Sequence, residues 1–281
     1  MDLTVSKMLV SESFAGSSRM KKPLHPVSVV SLALFLTFPA VGPGETHGGR
    51  LHVATESSCG VAEALPARIA ALPHFFRAIE NRRRLRIVAI GSSSTEGVGA
   101  SSPAANYPSQ LQALLKLAMP GENFEVINLG VGGETAGKAV ERISGDIPKL
   151  APDLVIWQVG TNDAINGAIV ADYESIVRDA VQFLKARTFD VVLIGPQWTR
   201  KLEGNPAYVA VRDATAQVAR EEGVTLVSRY DAMRKLAETT GREDFIGPDR
   251  LHMNDRGYRC LAEQVATALA KAVDREESGR L

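Results

Sequence analysis

The chain has 281 residues, 45% of them hydrophobic, with 32 basic and 32 acidic side chains and a formal net charge of zero. That is enough apolar material for one sizeable core. The even charge balance argues against a nucleic-acid face or a polybasic membrane footprint, and makes a neutral or weakly charged substrate the plain expectation.

In chain order, the first feature is a segment unlike the rest. Arg19, Lys21 and Lys22 precede an apolar stretch from Val27 to Val41, and Gly42, Pro43 and Gly44 follow it. A basic start, a short apolar middle and a small-residue exit read as an export signal. The run is shorter than the roughly 20 apolar residues a comfortable membrane span needs, and an uncleaved anchor is the alternative. Residues 1–45 are therefore set apart as signal or anchor, 46–83 as an extension with one helix, and 84–281 as the main domain. The expected location is the periplasm or the medium, with membrane contact only through the first segment if it is kept. Of the two cysteines, Cys59 and Cys260, an oxidising compartment would let them pair, whereas Cys260 as a buried thiol is the other reading.

A helix is expected over Val61–Glu80. From residue 85, short runs rich in Val, Ile and Leu alternate with longer helical patterns. The strands expected are Leu85–Ile90, Phe124–Asn128, Leu154–Val159, Val191–Ile194 and Val224–Val227. The helices expected are Tyr107–Met119, Thr135–Ser144, Ala171–Ala186, Ala207–Glu222 and Asn254–Ala272, with Asn254 as an N-cap. Strands apolar on both faces, alternating with helices, predict a five-stranded parallel sheet in a three-layer α/β/α sandwich. Such sheets bind ligands beyond the carboxyl ends of their strands.

Four polar or glycine-rich segments fall there: Gly91-Ser-Ser-Ser-Thr-Glu-Gly97, Asn128-Leu-Gly-Val-Gly-Gly-Glu-Thr135, Gly160-Thr-Asn-Asp163, and Asp249-Arg-Leu-His252 before the last helix. Of the five histidines, His25, His47, His52 and His74 precede the first strand, so His252 is the natural general base in the domain. Asp249 stands where it could orient that imidazole; a surface Asp and His at a helix entrance is the alternative. A serine nucleophile needs such a base. Spacing alone does not choose among Ser92, Ser93 and Ser94, and the chain has no G-x-S-x-G elbow.

Together, in this order, the four blocks resemble those of the SGNH (GDSL-type) serine esterases, over roughly residues 85–272. The resemblance implies a flavodoxin-like fold and hydrolysis of carboxylic esters through an acyl-enzyme on Ser93, with His252 as base and Asp249 as its partner. It also implies an oxyanion hole made of the Ser93 and Gly133 backbone amides and the Asn162 side chain, with no metal and no cofactor. One departure is plain: Ser92 stands where the family carries Asp. The substrate expected is a small-molecule or glycan ester, with small acyl groups on a glycan favoured. A lipid-ester or lysophospholipid hydrolase and an O-acyltransferase fit the same site, and a catalytically silent glycan-binding protein is the non-enzymatic alternative. The loop Gln197-Trp-Thr-Arg-Lys201 after the fourth strand is a candidate wall of the substrate pocket, and its Trp198 could stack on a sugar or cap the core. Gly132-Gly-Glu-Thr-Ala-Gly-Lys138 fits part of a phosphate loop, but Ala139 stands where magnesium would need Ser or Thr.

Overall fold

A computed structural model describes Cys59 and residues 69–279, all within one compact unit spanning His47–Leu281. The segment expected to act as a signal or anchor, residues 1–45, lies outside the described residues. No helix among the described residues is long and apolar enough to cross a membrane.

The elements run α1 (Pro73–Glu80), β1 (Leu85–Gly91), α2 (Ser93–Glu96), α3 (Tyr107–Ala118), β2 (Phe124–Gly130), α4 (Ala136–Gly145), α5 (Ile147–Leu150), β3 (Leu154–Gln158), α6 (Thr161–Ile165), α7 (Val170–Ala186), β4 (Asp190–Ile194), α8 (Pro206–Glu221), β5 (Thr225–Val227), α9 (Arg229–Thr240) and α10 (Asp255–Ser278). The five strands pair in the order β2-β1-β3-β4-β5, parallel throughout. This is the flavodoxin-like order expected, and its switch point lies between β1 and β3. Helices α3 and α10 pack together on one face, while α4, α7 and α8 form a contiguous layer on the other.

Burial explains the strand composition. Every residue of β3 and β4 is buried, as the uninterrupted apolar runs require for central parallel strands. Strand β2 is an edge and only half-buried; the Gln112 side chain from α3 accepts from Val126 N–H at 2.8 Å there, occupying one of its ladder groups. At the other edge Thr225 Oγ1 accepts from Ala70 N–H at 2.8 Å. Asn254 caps α10 as expected, accepting from Gly257 N–H at 3.1 Å.

Two expectations need correction. Of the helix expected over Val61–Glu80, residues 61–68 lie outside the described residues, 69–72 are not helical, and the helix occupies Pro73–Glu80. Pro73 is the cause, since a residue before proline avoids helical dihedrals, and Leu72 sits at φ −125° and ψ 68°. Helix α9 was not expected. Its apolar positions Tyr230, Met233, Leu236 and Ala237 are buried, but Arg229, Asp231, Arg234, Lys235 and Glu238 dilute the pattern in sequence. Cys59 and Cys260 form a disulfide, with Cα atoms 5.6 Å apart and a sequence separation of 201. Cys260 is therefore not a free thiol.

Candidate active site

The β1 strand ends at Gly91, and the chain turns at once into the single turn α2, with Ser92 as N-cap and Ser93 as its first residue. Ser92 is buried, and its N–H and Oγ–H both donate to Gln158 Oε1 at 3.0 Å. Thr95 Oγ1 lies 3.4 Å from the same oxygen. An Asp at position 92 would bring its own acceptor; here Ser92 brings a donor, and the acceptor is an amide oxygen from the end of β3. The nucleophile turn is thereby anchored to the neighbouring strand.

That anchoring leaves Ser93 half-buried with Oγ facing the last loop, where His252 Nε2 stands 3.0 Å away. His252 Nδ1 lies 2.5 Å from Asp249 Oδ2. The other Asp249 oxygen accepts from Leu251 N–H and His252 N–H, both at 3.0 Å. Partial burial pushes the Asp249 carboxyl up, but the hydrogen bonds from Leu251 and from the His252 side chain and backbone outweigh it and hold it at about 2. Asp249 is thus a carboxylate throughout the neutral and mildly acidic range, able to fix the imidazole tautomer and balance an imidazolium. The structure brings together all three residues singled out at the start and end of the domain.

The oxyanion-hole candidates lie on the segments that follow β1, β2 and β3. Ser93 N–H opens α2, and neither it nor Gly133 N–H has an acceptor among the described residues. Gly133 sits at φ +74°, a left-handed conformation that glycine enters without strain and that directs its amide. Gly130 is needed for a different reason: a Cβ there would lie 1.9 Å from Glu96 N, so only glycine lets the β2 loop lie against the nucleophile turn. Asn162, in α6, uses one side-chain N–H on Glu134 C=O at 2.9 Å and keeps the second. Asp163 beside it accepts from Ala136 N–H at 2.9 Å, fastening the start of α4 to the β3 loop; burial raises its carboxyl above the ordinary value. Glu134 is buried and ion-paired to Arg142, which also donates to Leu129 C=O. Position 139, where a phosphate loop would need a hydroxyl, is a buried alanine in α4.

The roles of three residues were not foreseen from the sequence. One is Gln158. Another is Gln197, which lies near Ser94 Oγ and Thr161 Oγ1 through Oε1 at 3.3 and 3.5 Å and donates from Nε2 to Leu251 C=O at 2.8 Å. It therefore touches the loops after β1 and β3 and the base-bearing loop at once. Tyr258 is the third: its hydroxyl donates to Val98 C=O at 2.6 Å, tying α10 to the nucleophile loop. Their only sequence signal is position, at or after a strand end or just past His252. Trp198 is only 3% exposed and its ring packs at 6.5 Å from Phe245, so it fills the core and does not face a sugar. Among the described residues no group of His, Cys, Asp and Glu is arranged to hold a metal ion.

Comparison with known proteins fits this geometry. The model of the Non-GDSL lipase-like family matches residues 58–275. Esterase TesA of Pseudomonas aeruginosa is 26% identical over 113 residues, 40% of this chain and 55% of that protein. An arylesterase of Vibrio mimicus is 24% identical over 171 residues, covering 59% of this chain and 79% of the relative. Among solved structures, a two-domain esterase active on acetylated mannans superposes with a TM-score of 0.63 at 25% identity, covering 75% of this chain and 56% of its own. The crystal structure of TesA gives 0.57 at 22% identity, covering 66% of this chain and 99% of that one. The chain thus spans little more than half the length of the Pseudomonas esterase and of the mannan esterase. The family match covers most of the chain, and the resemblance to SGNH (GDSL-type) esterases seen in the four blocks is borne out: the protein belongs to the Non-GDSL lipase-like family.

Proposed function

We propose that the protein hydrolyses carboxylic esters through an acyl-enzyme on Ser93. The observation that carries this reading is the continuous line from Ser93 Oγ to His252 Nε2 at 3.0 Å and from His252 Nδ1 to Asp249 at 2.5 Å. His252 takes the Ser93 proton as Oγ attacks the ester carbonyl. The negative charge that develops on the carbonyl oxygen meets Ser93 N–H, Gly133 N–H and the free N–H of Asn162. Collapse expels the alcohol, protonated by His252. Water, deprotonated by His252, then attacks the acyl-enzyme and frees the carboxylic acid and Ser93.

The favoured substrate is a glycan carrying small O-acyl groups. Likeness to an esterase active on acetylated mannans and to an acetyl xylan esterase supports this choice. The Cys59–Cys260 disulfide suits an oxidising, extracytoplasmic setting, where such a glycan would be met. A second reading, hydrolysis of lipid esters, is favoured by one specific observation. Of the exposed large hydrophobic residues, Val98, Val131, Ile165 at the end of α6, and Ile169 all lie in the segments that follow β1, β2 and β3, where they would offer an acyl chain an apolar rim.

Acetate release from acetylated polysaccharides, measured beside a series of aryl esters of increasing acyl length, separates the two. Glycan deacetylation with a preference for acetate supports the first reading; rates that climb with chain length support the second. Ester turnover that survives Ser93→Ala would sink both.

A further inference from the structure

Ester chemistry divides the site into two sides. The carbonyl oxygen belongs with Ser93, Gly133 and Asn162, whereas the departing alcohol must lie within reach of His252 Nε2 to receive its proton. The alcohol therefore leaves on the side of the base-bearing loop.

A cleft of about 690 Å3 lies against that loop, on the Asp249 side of the His252 ring, lined by Arg200, Lys201, Glu243, Asp249 and Arg250. It holds three cations and two carboxylates, but both carboxylates are engaged. Glu243 accepts from Arg200 N–H at 2.7 Å and lies 3.6 Å from its guanidinium. Asp249 is held by His252. The side chains of Lys201 and Arg250 have no ion pair or hydrogen bond among the described residues. Arg250 occupies a left-handed turn at φ +60°, which non-glycine residues seldom adopt, and its place is fixed by Arg250 N–H donating to Gly247 C=O at 3.0 Å. Two uncommitted cations thus flank the triad acid in a chain whose formal net charge is zero. No residue lining the cleft is apolar, in contrast to the rim formed by Val98, Val131, Ile165 and Ile169.

We propose that the alcohol part of the substrate is an acidic sugar, whose carboxylate lies against Lys201 and Arg250 while its O-acyl group enters the Ser93 side. The proposal rests on the esterase reading and revises the neutral substrate that overall composition suggests, because a balanced total says nothing about a local excess. The cleft exceeds a single sugar ring, which favours a residue within a polyuronate chain over the smaller glycerophosphate head of a lysolipid.

The test compares acetate release from an O-acetylated polygalacturonate and from a neutral acetylated mannan of equal acetyl content, for the wild type, Lys201→Ala, Arg250→Asn and the double variant. Asparagine is chosen at position 250 because it tolerates left-handed dihedrals. Expected are a wild-type kcat/KM about tenfold or more in favour of the acidic polymer, narrowing as salt rises, and a loss of about tenfold for that polymer in the double variant. Hydrolysis of phenyl acetate by the same variants should stay within about twofold of the wild type, since no charge is recognised there. Equal or better use of the neutral mannan would overturn the proposal, as would a double variant that slows all substrates alike. Faster hydrolysis of lysophosphatidylglycerol than of the acidic polymer would overturn the sugar as well, assigning the same cations to a lipid phosphate. Loss of the esterase reading would show separately, as wild-type phenyl acetate turnover that is absent or independent of Ser93.

Discussion

The two halves of the active site are built differently. The nucleophile stands on a turn whose neighbours Ser92, Ser94 and Thr95 are all buried, and which is tied to Gln158 and Gln197 of adjacent strands and loops. The base stands on a loop in which Asp249 and Arg250 are exposed, held mainly by Gln197 to Leu251 C=O, by Asn254 to Asp244 C=O at 2.9 Å and by the Ile246–Met253 bridge. The nucleophile turn is both buried and hydrogen-bonded, whereas the base loop is exposed at Asp249 and Arg250 and rests on a handful of hydrogen bonds beside buried Ile246 and Met253. A site assembled this way keeps its oxyanion donors rigid and concentrates its vulnerability in the histidine loop.

The largest effect should come from breaking the exposed side. Asp249→Asn keeps the shape but loses the charge that balances the imidazolium and selects its tautomer. Steady-state kinetics on phenyl acetate should show kcat falling by about 10³–10⁴ with little change in melting temperature. Because the Asp249 carboxyl is held at about 2, its protonation does not limit the wild-type rate anywhere above about pH 3. A decline seen on acidification between pH 7 and 4 must then come from another group, and it should persist in Asn162→Ala.

Next comes Asn162→Ala on the rigid side, expected to lower kcat by about 10²–10³ with KM nearly unchanged, since the donor serves the transition state. An equal rise in KM would mean that Asn162 binds substrate and transition state alike. Gln197→Ala tests the link between the halves. It leaves every reacting group in place but frees Leu251 C=O, and a loss of about tenfold to a hundredfold in kcat is expected. A rate unaltered by this change would show that the base loop holds its position without the strut.

The smallest catalytic effect belongs to a control remote from both halves. Asp190, at the start of β4, accepts from His74 and Phe75 N–H at 2.9 and 2.8 Å. Burial raises its carboxyl to about 7 against these bonds. A folded value above the unfolded 3.8 means the folded chain holds the proton longer, so this group lowers stability as pH rises from about 4 to 7, by roughly 4 kcal/mol at most. Asp190→Asn keeps an acceptor and removes the charge. Its melting temperature should exceed that of the wild type at pH 8, the gap closing by pH 4, with kcat unaffected.

The sequence made the sheet legible because central parallel strands must be apolar on both faces; all five strands lie within about two residues of the expected bounds. Ser93, Asp249 and His252 were legible through loop position and the four blocks, and the structure places them in contact. Gln158 and Gln197 were not legible. A glutamine carries no periodicity and no motif, and its role exists only because strands distant in sequence lie side by side. The same holds for Arg229, fully buried with Nε donating to Gly195 C=O at 2.7 Å, which in sequence reads as an ordinary surface cation and helped to hide α9. Trp198 was visible as a landmark but not as core, since an aromatic ring after a strand fits either role.

The disulfide has a further consequence for durability against proteases. Its bridge closes residues 59 to 260 into a covalent ring, and Ser93, Asn162, Asp249 and His252 all lie inside it. A protease that cuts once anywhere in that ring, for instance at the exposed turn near Glu203 and Gly204, yields a nicked molecule that stays in one piece. The nucleophile and its base would part only after a second cut or after exposure to reductant.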